Sequence, residues 1–462
     1  MPELSLGVLA AAAGGTLARG APETRVTSCA IDTRTLARGG AFFALRGLHR
    51  DGHAFLAEAA RAGAVAAVVD RELPPDAPAP PALIRVDDTK VALGLCGAAM
   101  RRQLASVLTV ALTGSSGKTT TKELLAAGLA GTFRVHKSTG NLNNELGVPL
   151  SLLACADDAQ AQVLELGMRG PGQIAHLARM VDPDVGLVTN VRPVHLEFFR
   201  TLDDIAAAKG ELFAVLRSDA VSVVNVDDEH VRLQSARHAG PRVTFGRHAS
   251  ADLVLESVED RFIPGASFSF RHAGKLRKLD LRLAGSHAAQ NALAALAAVV
   301  AAGADLDRAG EEICRVEAGP GRGRVLSLSQ GVVVVDDTYN SNPAALSSVL
   351  RTLGTSAPAG RRILVMGDML ELGSEETAYH RDAGRQAASA GVQVLVGVGP
   401  LSRAAVESAK KAGVPEVHHE TDAAVAAREM ARLVRPGDLV VVMGSRGIRL
   451  EQVVAALVEA RG

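Results

Sequence analysis

Apolar residues along this chain fall into short continuous runs, separated by longer stretches in which every third or fourth position is apolar. The short runs, bounded by turn residues, predict strands, and the wider spacing predicts helices. Residues 4–13 fit a first helix, and a stretch holding Pro74, Pro75, Pro78, Pro80 and Pro81 precedes a short apolar strand at 82–86. That punctuation closes a first small unit. Runs at 107–112, 163–166, 185–189 and 221–226 then alternate with helical stretches, the pattern of a parallel sheet covered on both faces. The last third repeats the theme with runs at 332–335, 363–366, 394–398 and 439–443. Between the two series lie an alanine-rich helix at 288–302 and the sequence GPGRGR at 319–324, which reads as a hinge. The expectation is an α/β protein of three domains, residues 1–86, 87–316 and 317–462, the first a small α/β unit, the second a parallel-sheet unit, the third Rossmann-like.

Charge adds no second architecture. Lys plus Arg equals Asp plus Glu at 50 each, so no net field draws the molecule to nucleic acid or to an anionic membrane, and phosphate binding has to be local. Cys29, Cys96, Cys155 and Cys314 are scattered without a paired spacing, which argues against a disulfide framework or a thiolate zinc site and favours a reducing compartment. The apolar run at 4–13 is preceded by Glu3, and no Lys or Arg occurs before Arg19, so it reads as a helix rather than a secretion signal. No stretch approaches the roughly 20 apolar residues needed to insert into a membrane. A cytoplasmic protein is expected.

The chemistry concentrates at strand ends. After the run at 107–112 comes TGSSGKTT, residues 113–120, followed by a helical pattern from 120 to 130. Gly114 and Gly117 let backbone amides converge on a phosphate at a helix start, with Ser115, Ser116 and Thr120 in the same loop. Lys118 would neutralise the phosphates and Thr119 would hold magnesium. The position six before the lysine is Leu112, so the match is to the shorter GxxGK[ST] form of the phosphate loop. An ordinary glycine turn is the bland alternative, and the strand before it and helix after it favour the phosphate loop. Glu165 closes the apolar strand in VLELGMRG, where a carboxylate reaches a metal beside such a loop, although strand-end glutamates are often merely solvated. His195 in TNVRPVHLE follows another strand, and Lys209 in AAAKGELF would by itself pass for a solvated helix charge. VVVVDDTYNSNP carries Asp336 and Asp337 at the end of a strand in a different domain, better placed for a ribose or nucleotide contact across a cleft than for the magnesium beside Lys118. The turn at 444–447 also follows a strand and could bind an anion.

Taken in order, these segments resemble the Mur ligase family over nearly the whole chain. IDTR at 31–34, GGAFFALRG and RDGHAF at 50–55 resemble the UDP-sugar-binding N-terminal domain. TGSSGKTTTKE, GNLNNELGVPLSLL, ELGMRG, TNVRPVHLEFF, AKGELF, GSHAAQNALAA, GPGR, DDTYNSNP, GDMLELG and MGSRG follow in the family's sequence. The forms HLE-x-F, DDTYNSNP and GDMLELG are similar to the branch that adds D-alanyl-D-alanine. The resemblance implies ATP and two magnesium ions as cofactors, UDP-N-acetylmuramoyl-tripeptide and D-alanyl-D-alanine as substrates, and a monomer. It further implies that Glu165, His195 and Lys209 ligate metal with Thr119, that Lys209 is carbamylated, and that Asn143 and Asn144 line the same site. Thr33 and Arg34 match the uridine-diphosphate site, His287 and Asn291 the adenine side of the nucleotide site, Arg322 and Asp337 its C-terminal half, and Asn340 is placed with the substrate-binding residues. Two departures stand out: Gly285, Ser286, His287 and Ala288 replace the family's Gly-Arg-His-Asn, and Arg200 stands where Gly or Lys is common. The diaminopimelate-adding ligase and folylpolyglutamate synthase are the related alternatives. The missing Asp-Asn-Pro-Arg sequence speaks against the first and the UDP-type N-terminal segment against the second. A nucleotide switch would need an NKxD motif, which is absent, and a simple UDP-sugar binder would not need Lys118 and Glu165.

Overall fold

The computed structural model describes every residue except 1–3, 48–49, 75, 194–197, 261–264 and 357. Among the described residues the strands form three main sheets and one two-stranded pair.

The N-terminal sheet runs Thr16–Arg19, Ala82–Arg85, Ala66–Val69, Ala41–Phe43, Cys29–Ala30, with the first strand antiparallel and the others parallel. The helix Thr89–Gln103 follows, capped by the Asp88 carboxylate on the amides of Lys90 and Val91. Its Leu93, Cys96 and Met100 pack with Leu9, Ile84 and Val86. Residues beyond 86 therefore complete the N-terminal core while leading into the central unit.

The central sheet has nine strands. The phosphate-loop strand Leu108–Thr113 lies third from one edge, between Ala161–Glu165 and Val185–Val188, and both pairings are parallel. Val135–Lys137 forms one edge. The other side continues in parallel through Val221–Asn225, Arg242–Gly246 and Leu253–Asp260, then turns antiparallel through Ala266–His272 and Lys275–Asp280. The sequence reading of a purely parallel sheet thus covers the catalytic part and misses this extension, whose alternating burial of Ala266, Phe268 and Phe270 is the period-2 signature of strands. Lys118–Ala130 and Ser286–Ala301 cover one face, while Gln173–Val181 and Leu202–Val215 cover the other. Small side chains bring the first pair close. A Cβ on Gly128 would sit 3.1 Å from Val299 and 3.2 Å from Ile313.

The C-terminal sheet has the order Arg324–Ser327, Val333–Asp337, Leu439–Met443, Arg362–Gly367, Val394–Val398, Glu416–Glu420, and only its first strand is antiparallel. Apolar clusters fill both of its faces. In such open parallel sheets the loops at the carboxyl ends of the strands carry the ligand groups. Here the carboxyl ends of the central and C-terminal sheets share one cleft.

Candidate active site

The phosphate loop is built by two left-handed glycines. Gly114 has φ +154° and Gly117 has φ +77°, conformations that a Cβ disfavours. A Cβ on Gly114 would lie 1.9 Å from the Thr189 hydroxyl, and one on Gly117 would lie 2.3 Å from the Asn291 amide oxygen. The loop is held from outside by residues the sequence reading passed over. Asn190 accepts hydrogen bonds from the Ser116 amide and hydroxyl, Thr189 donates to the Ser116 carbonyl, and the Ser115 hydroxyl accepts from the Arg192 amide. Asn190 lies two residues beyond the buried strand Val185–Val188, at the same carboxyl edge of the sheet where Glu165 ends its own strand.

Lys118 opens the helix Lys118–Ala130 and its amine donates to the carbonyls of Gly114 at 2.8 Å and Ser115 at 3.4 Å. Burial lowers its pKa, opposed by Glu165 and reinforced by Arg322, so the guanidinium of the C-terminal unit is felt at the phosphate loop. Thr119 donates to one Glu165 oxygen and Asn143 to the other, each at 2.8 Å. Glu165 is 2% exposed, a buried carboxylate with both oxygens engaged. A Thr hydroxyl and a carboxylate beside a phosphate loop are hard oxygen donors that suit magnesium, which takes few protein ligands and fills its shell from phosphate and water. The described residues contain no group of three or more His, Cys, Asp and Glu that could hold a metal ion. His195 lies outside the described residues.

Lys209 is 2% exposed on the helix Leu202–Val215, not the solvated charge its sequence context suggested. Burial first, and then repulsion from Lys118, push its pKa well below the ordinary lysine value.

A cleft of about 650 Å³ joins the two sheets. Ser115, Lys118, Asn143, Asn144 and Arg169 line its central wall, and Tyr339, Asn340, Leu370 and Arg446 its C-terminal wall. The Asn144 amide oxygen accepts from Leu146 and Gly147, so this side chain also shapes the start of the next helix. Arg322 stacks on Tyr339 with 3.7 Å from guanidinium carbon to ring centre, and Arg446 lies 5.2 Å from the same ring. Ser445 ties two loops of this wall together, accepting from the Leu370 amide and donating its own amide to the Asp368 carbonyl.

Asp336 and Asp337 separate in role. The Asp336 carboxylate is spent on the Gly321 amide and on Thr338, which fixes the hinge glycines against the strand end. Burial pushes the Asp337 carboxyl up to about 7, with Arg322 opposing and Asp336 adding to the rise. Asn291 lines a small recess with Asn190, Asn225, Phe245 and Leu255. His287, one turn earlier on that helix, sits instead at the domain junction, its Nδ1 3.5 Å from the Ser348 hydroxyl. Thr120 lies half-buried on the first turn of the phosphate-loop helix. Thr33 and Arg34 lie apart from this cleft, Thr33 donating to Glu58 at 2.6 Å and Arg34 paired with Asp32.

Sequence comparison matches residues 25–103 to the Mur ligase family catalytic domain, 112–299 to the Mur ligase middle domain and 321–446 to the Mur ligase glutamate ligase domain. The UDP-N-acetylmuramoyl-tripeptide–D-alanyl-D-alanine ligase of Bacillus subtilis is 32% identical over 448 residues, 96% of each chain. The crystal structure of MurF from Acinetobacter baumannii superposes with a TM-score of 0.88 at 31% identity, covering 99% of both chains. MurF ligase of Thermotoga maritima in complex with ADP does so with 0.78 at 28% identity, covering 94% of this chain and 98% of that one. With a phosphate loop, a strand-end carboxylate and a cleft between two sheets in the family's order, and with similarity running end to end, this chain belongs to the Mur ligase family.

Proposed function

We propose that this enzyme joins D-alanyl-D-alanine to the terminal carboxylate of a UDP-N-acetylmuramoyl tripeptide at the expense of ATP, in cytoplasmic synthesis of peptidoglycan precursors. The observation that carries the reading is the cleft, in which Ser115, Lys118 and Asn143, the last of them hydrogen-bonded to the buried Glu165, face Asn340, Leu370 and Arg446 of another sheet. Full-length relatives named for this reaction support the choice of substrates. Residues 1–86, 87–316 and 317–462 then serve as UDP-sugar, nucleotide and acceptor units, with Thr33 and Arg34 on the first. No helix among the described residues is long and apolar enough to cross a membrane.

A carboxylate is a poor acyl donor because oxide is a poor leaving group. An oxygen of the tripeptide carboxylate attacks the γ-phosphorus, the bond to the β-bridging oxygen breaks, and ADP departs. The acceptor's amino nitrogen then attacks the acyl carbon of the resulting acyl phosphate, inorganic phosphate leaves, and the nitrogen gives up a proton. Lys118 and the amides of residues 114–120 cradle the ATP phosphates, offsetting repulsion between two anions. Thr119, Glu165, His195 and a carbamylated Lys209 would hold two magnesium ions, which polarise the phosphoryl oxygens when bound. Lys209 suits that modification because carbon dioxide reacts with the neutral amine, the form that burial favours here. A carbamate would replace an ammonium with hard oxygens beside the metals. Asn291, His287, Arg322 and Asp337 would enclose the nucleotide from both sides, and closure over the cleft would keep water from the acyl phosphate.

The test is phosphate release. It should require both a UDP-muramoyl tripeptide and D-alanyl-D-alanine, and to stop on magnesium chelation. Equal release with either substrate alone, or faster release with diaminopimelate or glutamate as acceptor, overturns the reading.

A further inference from the structure

Lys122 is fully buried at 0% exposure, one helical turn beyond Lys118, and the phosphoryl chemistry gives it no task. A protonated lysine has three N–H donors, and three acceptors surround this one. They are the carbonyl of Ser138 at 2.8 Å, the carbonyl of Gly140 at 3.1 Å and the Glu123 carboxylate at 3.2 Å. Ser138 and Gly140 begin the segment that leads from the edge strand Val135–Lys137 into the cleft. Five residues past Ser138, Asn143 donates to Glu165 and its carbonyl accepts from the Gly167 amide at 2.7 Å. The Ser138 hydroxyl also accepts from the Glu165 amide at 3.3 Å. Glu165 receives the Thr119 hydroxyl, which returns to the helix that carries Lys122.

These bonds close a ring that leaves one helix at Lys122 and re-enters it at Thr119, with Glu165 as its farthest member. We infer that Lys122 is a positioning residue: by clamping the 138–140 carbonyls it holds Asn143 against Glu165 and so fixes the carboxylate for magnesium. The inference rests on the metal role of Glu165 proposed above. Local sequence gives no hint of it, since the ring links residues brought together only by a parallel crossover. A lysine satisfied by backbone carbonyls also differs from a surface charge in its consequence: removing its amine leaves buried carbonyls unpaired and frees the loop to shift.

The experiment is calorimetric titration of the full-length protein with ADP, with and without magnesium, for the wild type, Lys122→Met, Asn143→Ala and the double variant. Lys122→Met keeps the side chain's bulk and removes its donors, and Asn143→Ala opens the ring at a half-buried link. Lys122→Met and Asn143→Ala are each expected to lose at least tenfold of the magnesium-dependent gain in ADP affinity, and Lys122→Met is expected to keep its magnesium-free affinity within threefold of wild type. The double variant is expected to be no worse than the poorer single one, because one broken ring cannot be broken twice. Retention of the magnesium gain in Lys122→Met overturns the inference. So does parallel loss with and without magnesium, which marks a general structural role, and so does additive loss in the double variant. If Lys122→Met does not fold, Lys122→Gln takes its place, and a full magnesium gain in Asn143→Ala alone is sufficient to reject the ring. A wild type whose ADP affinity ignores magnesium removes the metal reading itself, an outcome distinct from all of these.

Discussion

Gly117→Ala separates two costs that the phosphate loop hides in one glycine. The residue has φ +77°, and a Cβ there would stand 2.3 Å from the amide oxygen of Asn291 and 3.0 Å from its Cγ and Nδ2. An L-residue in the left-handed region costs about 1–2 kcal/mol. Pushing aside Asn291, which is 7% exposed, is an overpacking event of roughly 1–3 kcal/mol. Together they come to about 2–5 kcal/mol, which lowers the central unit's melting temperature by roughly 4–20 °C for a domain of that size. Asn291→Ala clears the space without changing the backbone. In that background Gly117→Ala should cost only the conformational part, about 1–2 kcal/mol, and the difference between backgrounds is the coupling. Differential scanning calorimetry on the four proteins measures all of these values. Equal losses in both backgrounds refute the close contact, and no loss in either refutes the need for a positive φ.

Lys209→Ala and Lys209→Arg should both reduce turnover by at least a hundredfold, and short carboxylic acids such as formate or acetate should restore part of the activity in the Ala variant; a fully active Arg variant rejects the carbamate. Asp337 sits near 7 in the folded protein against 3.8 ordinarily, so the folded state holds more protons and the stability this group contributes is lost as pH rises from about 4 through about 7. Chemical denaturation of wild type and Asp337→Asn across that range should show the variant with the flatter profile, and parallel profiles contradict the assignment. Thr352 donates to Asp260 at 2.9 Å across the junction of the central and C-terminal units. Thr352→Val should cost about 0.5–1.5 kcal/mol and broaden the distance distribution in X-ray scattering, whereas an unchanged distribution shows that other contacts hold the junction.

The phosphate loop was legible because its meaning is local: glycines, a lysine and a threonine between a strand and a helix carry the whole signal in eight residues. Glu165 was legible by its place at a strand end, and Asn190, at the same edge of the sheet, drew no notice. Lys122 and Ser445 were not legible. Their importance lies in which backbone groups they reach, and those groups come from loops 16 and 75 residues away in the chain. Lys209 was singled out only through the family resemblance, for a related reason: a lysine among alanines reads as exposed until the opposite wall of the core is known. The antiparallel strands at 253–280 escaped because their polar faces resemble ordinary loops in composition. His195, read as a metal ligand, falls outside the described residues, so its sequence context remains the whole of its case.

The strand Leu439–Met443 is the last of the sheet-forming runs in the chain, yet it occupies an interior place, paired on one side with Val333–Asp337 and on the other with Arg362–Gly367. During synthesis the nucleotide-handling half can close while the C-terminal sheet is still missing its middle. The two partner strands, which meet Leu439 through Val333 and Arg362, 106 and 77 residues earlier in the chain, must wait with unpaired edges until this segment emerges and slots between them, a long-range pairing of the kind that slows folding. The same insertion delivers Ser445 and Arg446 to the cleft. A chain released early would therefore lack the C-terminal wall of the cleft while keeping the phosphate loop, and exposed strand edges would mark it for aggregation or proteolysis.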